Sequence, residues 1–193
     1  MAPERPYNLL GISAVILELL KFKFSSADRI ELSALKDLLW NEDPKQSRLV
    51  IRFYREWDPK QPSMRPAILV DRGPITIRDV TLGDVDMAYY GEQRASLKLL
   101  EGTLGIAIIA DNLGQVEALA SEVFRYLIMV RQWVAEHYEL SQFNVRQISE
   151  VKPVQEVRES FRVDIICSYL AEFTWTTDKL GVPLDTISIG IGD

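Results

Sequence analysis

The residue pattern predicts an α/β fold of the α+β kind, a mainly antiparallel sheet packed against one long amphipathic helix, with N-terminal helices. Three stretches carry that expectation. The apolar run Leu104-Gly105-Ile106-Ala107-Ile108-Ile109-Ala110 stops at Asp111-Asn112, where a long helical period begins. Phe161, Val163, Ile165, Cys167, Tyr169, Ala171, Phe173 and Trp175 occupy every second position, the signature of a strand with one buried face. Pro66-Ala67-Ile68-Leu69-Val70 is a short continuous apolar run closed by Asp71-Arg72-Gly73-Pro74, which suits a strand buried on both faces.

In chain order, a Pro-containing leader precedes a helix over about Asn8 to Lys23, apolar round much of its circumference and so buried on two sides or packed against a partner. Asp28 and Glu31 have capping-box spacing ahead of Leu32, Leu35, Leu38 and Leu39, predicting a second, shorter helix ended by Asn41-Glu42-Asp43-Pro44. From Arg48 the period becomes two, with Leu49, Ile51, Phe53 and Trp57 on one face. Ile75 to Asp86 reads as a ribbon and turn, and Arg94 to Ala110 as a long strand bent at Gly102 or Gly105. Asn112 and Gln115 cap the main helix. Val116, Leu119, Ala120, Val123, Leu127, Val130 and Val134 form its apolar face, and Glu117, Ser121, Glu122, Arg125, Gln132 and Glu136 its polar side, interrupted at Ile128 and Met129. Phe143, Val145 and Ile148 begin another strand. The closing strand, about 50 Å long at 3.3 Å per residue, is long enough for part of it to project past its own sheet. Ile187, Ile189 and Ile191 alternate in a tail that reads either as an arm awaiting an edge or as a frayed terminus.

Length and composition bound the function. One domain accounts for 193 residues, and 47% hydrophobic with 26% charged residues are ordinary globular values. A net charge of -6 opposes a simple nucleic-acid surface, which needs clustered Lys and Arg. Arg48, Arg52, Arg55 and Arg65 are interleaved or flanked by Glu42, Glu56 and Asp58, and better suit a solvated or protein-facing strand. The Leu9 to Phe24 segment is broken by Glu18, Lys21 and Lys23 and has no basic leader with a cleavage site, so no membrane span is expected and the protein is taken as soluble.

Chemistry is sparsely represented. Cys167 is the only cysteine and His137 the only histidine, so one chain can form neither a disulfide nor a Cys/His zinc site. His137 falls in the last turn of the main helix, where the dipole favours a cation, and Cys167 reads as a small buried hydrophobe. Asp71, Asp79, Asp84 and Asp86 form the best acidic cluster but lack a calcium-loop pattern, and turn aspartates have reasons of their own. Gly102-Thr103-Leu104-Gly105 matches no nucleotide fingerprint. No catalytic residue, cofactor or metal is expected.

The order of elements resembles the tail-terminator (tail-completion) proteins of long-tailed bacteriophages. Arg65 to Val70, the Arg94 to Ala110 strand running into the helix from Asn112, and the Ser160 to Trp175 closing strand carry the likeness, which spans roughly Leu49 to Thr176. The resemblance implies a single domain over 1–193 with a helical segment at 1–40 and an extended C-terminal arm at 178–193. It further implies a homo-oligomeric ring, a hexamer, that caps the tail tube and meets other neck and connector proteins in the virion after assembly in the host cytoplasm. DNA would cross the lumen without specific binding, which the acidic balance suits. Ile128, Met129, Ile187, Ile189 and Ile191 would then be subunit contacts. The extra N-terminal helix and the Pro74 to Gly91 insertion depart from smaller family members and leave open a head-completion or connector protein. From other classes, a small metal-dependent α/β enzyme around Asp71 to Asp86 and a peptide-binding adaptor using strand addition also stand.

Overall fold

The computed structural model describes residues 11–58, 60–61, 65–78, 87–90, 93–154 and 160–178, with the side chains of 87–90, 93–97 and 173–178 outside that description. Helix α1 (Ile12–Phe24) leads into strand β1 (Val50–Phe53), followed by β2 (Ala67–Arg78), β3 (Met87–Tyr90), β4 (Gln93–Ala110), helix α2 (Leu113–His137), β5 (Leu140–Ile148), β6 (Lys152–Pro153) and β7 (Phe161–Asp178). The strands form one sheet in the order β1-β2-β4-β7-β5, with β3 also on β4 and β6 on β7. Among the described strands, only β1 and β2 run parallel. The predicted class therefore holds: a mainly antiparallel sheet with one long helix and a shorter N-terminal one on it.

Both helices lie on the same face. α2 packs over β4, β7 and β5, and α1 over β1 and β2. The main core joins Ile12, Ile16, Leu20 and Phe24 of α1 to Val116, Leu119, Val123, Leu127 and Val134 of α2 and to alternate residues of the strands. Each fully buried Val, Leu or Phe among them contributes about 1.5–3 kcal/mol. Asn112 caps α2 as its spacing predicts, its Oδ1 accepting the Gln115 N–H at 2.7 Å. Cys167 is fully buried, and burial pushes its thiol up to about 12.

Among the described residues, the opposite face carries a second buried cluster at one end. The connection from β1 to β2 crosses that face and seats Trp57 against Ala67, Leu69, Ala107, Ile109 and Val154. That is why Ala67 to Val70 is buried on both sides. It also corrects the expectation that Trp57 shares a face with Leu49 and Ile51. A 3-10 turn at Tyr54–Glu56 ends the strand period first, and Leu49 and Ile51 go to the main core while Trp57 goes to the other.

The second predicted helix is absent. Residues 27–39 contain two 3-10 turns, Ala27–Arg29 and Ser33–Leu35, with Ile30 and Leu32 extended. The competing interaction is long-range: the backbone N–H groups of Glu31 and Leu32 donate to the Glu122 carboxylate at 2.9 and 3.3 Å. A helix would have turned those donors along its own axis.

At Gly102 the missing side chain makes room for a close approach. The β4–β7 register is unbroken from Gln93↔Asp178 to Ala110↔Phe161, so β4 carries no bulge against β7 at Gly102 or Gly105. A Cβ on Gly102 would fall inside the Tyr169 ring. The irregularity lies across the ladder in β2, between Arg72 and Ile75. No described helix is long and apolar enough to cross a membrane.

Candidate interaction surface

At about 100° per residue, Glu122, Tyr126, Met129 and Trp133 fall along one flank of α2, beside the face that meets the sheet. The upper part of this flank is covered. Lys23 reaches from the end of α1, its ammonium 2.8 Å from Glu122 Oε1 and 5.4 Å over the Tyr126 ring. Glu122 is only 1% exposed, which corrects its expected place on the polar side of the helix. Burial alone would raise its carboxyl, but Lys23 and the Glu31 and Leu32 N–H groups outweigh it and hold the group below its ordinary value. Arg125 extends the network to Glu31 at 3.0 Å.

One turn on, the cover stops. Met129 is 68% exposed and Trp133 47%, and Trp133 stacks on His137 with ring centroids 4.8 Å apart. Ile128, 37% exposed, lies about 100° further round the helix, so the two residues singled out in sequence do not form one patch. Trp133, four residues on, shares this flank with Met129 by helical spacing and was not singled out in the sequence. The signal was there in an aromatic residue one turn from a break in the polar side. Ile187, Ile189 and Ile191 lie outside the described residues.

The remaining polar clusters organise the fold. Arg65 donates to Ser160 Oγ at 2.6 Å and to Asp111 Oδ1 at 3.1 Å, so it faces inward and joins no nucleic-acid surface. Arg162 pairs with Asp164 at 2.8 Å and donates to the Tyr54 hydroxyl at 3.2 Å, fixing the crossover turn to β7. A Ser160–His137–Asp111 triad is excluded by geometry. Asp111 precedes the first turn of α2 and His137 ends it, about 37 Å apart at 1.5 Å per residue. Among the described residues no group of three His, Cys, Asp or Glu side chains is placed to hold a metal ion. Asp71 is exposed on β2, while Asp79, Asp84 and Asp86 lie outside the described residues.

Further exposed apolar surface stands at the lower end of the molecule. Ile77 of β2, 66% exposed, opposes Leu100 of β4, and Leu100 in turn opposes Ala171 of β7, at the level where α2 gives way to β5. Beyond this level β5 stops, but β7 and β4 continue together to Asp178 and Gln93, joined by β3. No known protein family and no curated protein matches this chain significantly.

Proposed function

We propose that the chain is a structural subunit of a bacteriophage neck, a tail-terminator-type protein that forms a ring, closes the tail tube and joins tail to head, and that it is not an enzyme. The observation that carries this reading is the arm built by β4 and β7. β7 runs 18 residues, from Phe161 to Asp178, yet β5 covers its outer side only as far as Ala171. Among the described residues nothing pairs with that side of β7 beyond Ala171, and a ribbon extended past its own sheet leaves backbone donors and acceptors facing outward, a template for another chain. Exposed Met129 and Trp133 supply apolar area on the neighbouring helix, of the kind enriched at subunit contacts. The charge of -6 suits a channel wall that DNA passes without adhering. The order of elements from β1 through α2 to β7, on which the likeness to tail terminators rests, supports the same reading.

Negative-stain images of the purified chain test the reading. Rings with an open central channel and about sixfold symmetry are expected, since closed rings arise from heterologous contacts. Compact single particles without a channel, at every concentration and after addition of purified tail tubes, would contradict it.

A further inference from the structure

Among the described residues, the flanks of the sheet that no strand covers are not equivalent. β1 is only four residues long. β5 is broken by irregularities at Leu140/Gln142 and Val145/Gln147, and β2 beyond Val70 by another between Arg72 and Ile75, with Pro74 inside it. Shortness, bulges and proline are the devices by which natural sheets discourage pairing with other chains. The outer side of β7 from Glu172 to Asp178 has none of them. It keeps register with β4 without a slip, contains no proline, and its run Phe173-Thr174-Trp175-Thr176-Thr177 is made of strong strand formers.

The same arm has a second edge. β3 pairs with Ser96 to Gln93 on the flank of β4 opposite β7, and among the described residues nothing pairs with its far side. We infer that the β7 edge is a strand-addition site whose occupant is the β3 edge of a second copy of this chain. The inference rests on the ring reading and specifies its contact. Two different edges of one body joined copy to copy make a heterologous contact, which propagates and closes when the rotation fits. Pairing of the β7 edge with itself would make a closed dimer instead. It would also set Glu172 of each copy opposite Asp178 of the other, whereas Met87-Ala88-Tyr89-Tyr90 carries no charge to repel either acid.

Successive N–H groups of a strand point to opposite sides, so of Thr176→Pro and Thr177→Pro one removes an outward donor and the other breaks the ladder to β4. The outward variant is expected to keep the circular dichroism and melting curve of a folded chain while its solution mass drops from the ring to a single chain. As a second measurement independent of proline, chains carrying Ala88→Cys are mixed with chains carrying Cys at 172, 174 or 176 and oxidised. Adjacent strands bring Cα atoms within about 4.5–5.5 Å, inside disulfide range. A crosslinked dimer from a mixture, absent from either chain alone, is the expected result. Intact rings with no crosslink from any mixture, or a folded outward-proline variant of full ring mass, would overturn this contact and leave the ring reading standing. A wild-type chain that is monomeric at every concentration would overturn both, and a wild-type dimer would assign the edge to self-pairing.

Discussion

The two ends of the sheet are built on different terms. At the upper end, where β4 finishes at Ala110 and β7 begins at Phe161, Ala67 to Val70 and Ile106 to Ala110 are buried on both faces. Helices cover one side and the Trp57 crossover the other, and even the carboxylate of Glu122 on the flank of α2 is sealed by Lys23 and two backbone donors. At the lower end one flank of the same helix presents Met129 and Trp133, β2 presents Ile77, and β7 outruns β5. On the proposed reading, the contrast separates what holds the chain together from what it would offer to a partner. A substitution at the upper end should unfold the chain, and one at the lower end should spare the fold and change assembly.

The largest effect is expected from Glu122→Ala. It strands a buried ammonium and orphans two N–H groups, so urea titration should show a loss of about 3–5 kcal/mol. Its pH dependence sharpens the assignment. A carboxyl held below its ordinary value of 4.5 in the folded chain adds stability above that value and loses it as pH falls through the folded one. The gap between the parent and Glu122→Gln should therefore be full near neutrality and narrow on acidification below 4.5. A gap that is flat across this range would remove the charge from the account.

Gly102→Ala, on the boundary between the two ends, drives a methyl into the Tyr169 ring and should destabilise by about 1–3 kcal/mol by the same titration. Glu139, with φ 50°, turns the chain from α2 into β5 in a conformation that glycine adopts without strain. Glu139→Gly should accordingly raise stability by about 0.5–1 kcal/mol, and a loss would show that its side-chain contacts outweigh the backbone strain. The smallest change in subunit stability is expected from Met129→Lys with Trp133→Glu, within about 0.5 kcal/mol. Sedimentation velocity should nevertheless show assembly weakened. An unchanged oligomer would place the contact elsewhere on the lower end.

Local periodicity made much of this fold legible. The Asn112 cap, the apolar face of α2, the double burial of Ala67 to Val70 and the alternation of β7 as far as Ala171 are properties of neighbouring residues, and each stands where the sequence placed it, while the side chains of Phe173 and Trp175 lie outside the description. What was not legible is long-range. Asp28 and Glu31 have the spacing of a helix start, but Glu122, about ninety positions away, takes the backbone donors that a helix would need. Glu122 itself looks like a solvated residue until Lys23 is brought beside it. Trp57 keeps the strand period in sequence and loses it to one 3-10 turn. The candidate surface was half visible: Met129 broke the polar pattern and was noticed, whereas Trp133 is exposed only because the cover from the N-terminal segment ends one turn earlier.

The ring is the central claim, and the molar mass of the intact chain in solution tests it most directly. Multi-angle light scattering on the purified protein is predicted to give about six times the 22.0 kDa of one chain, with the mass falling when Met129 and Trp133 are replaced together. A single 22.0 kDa species that persists to high concentration would contradict the account.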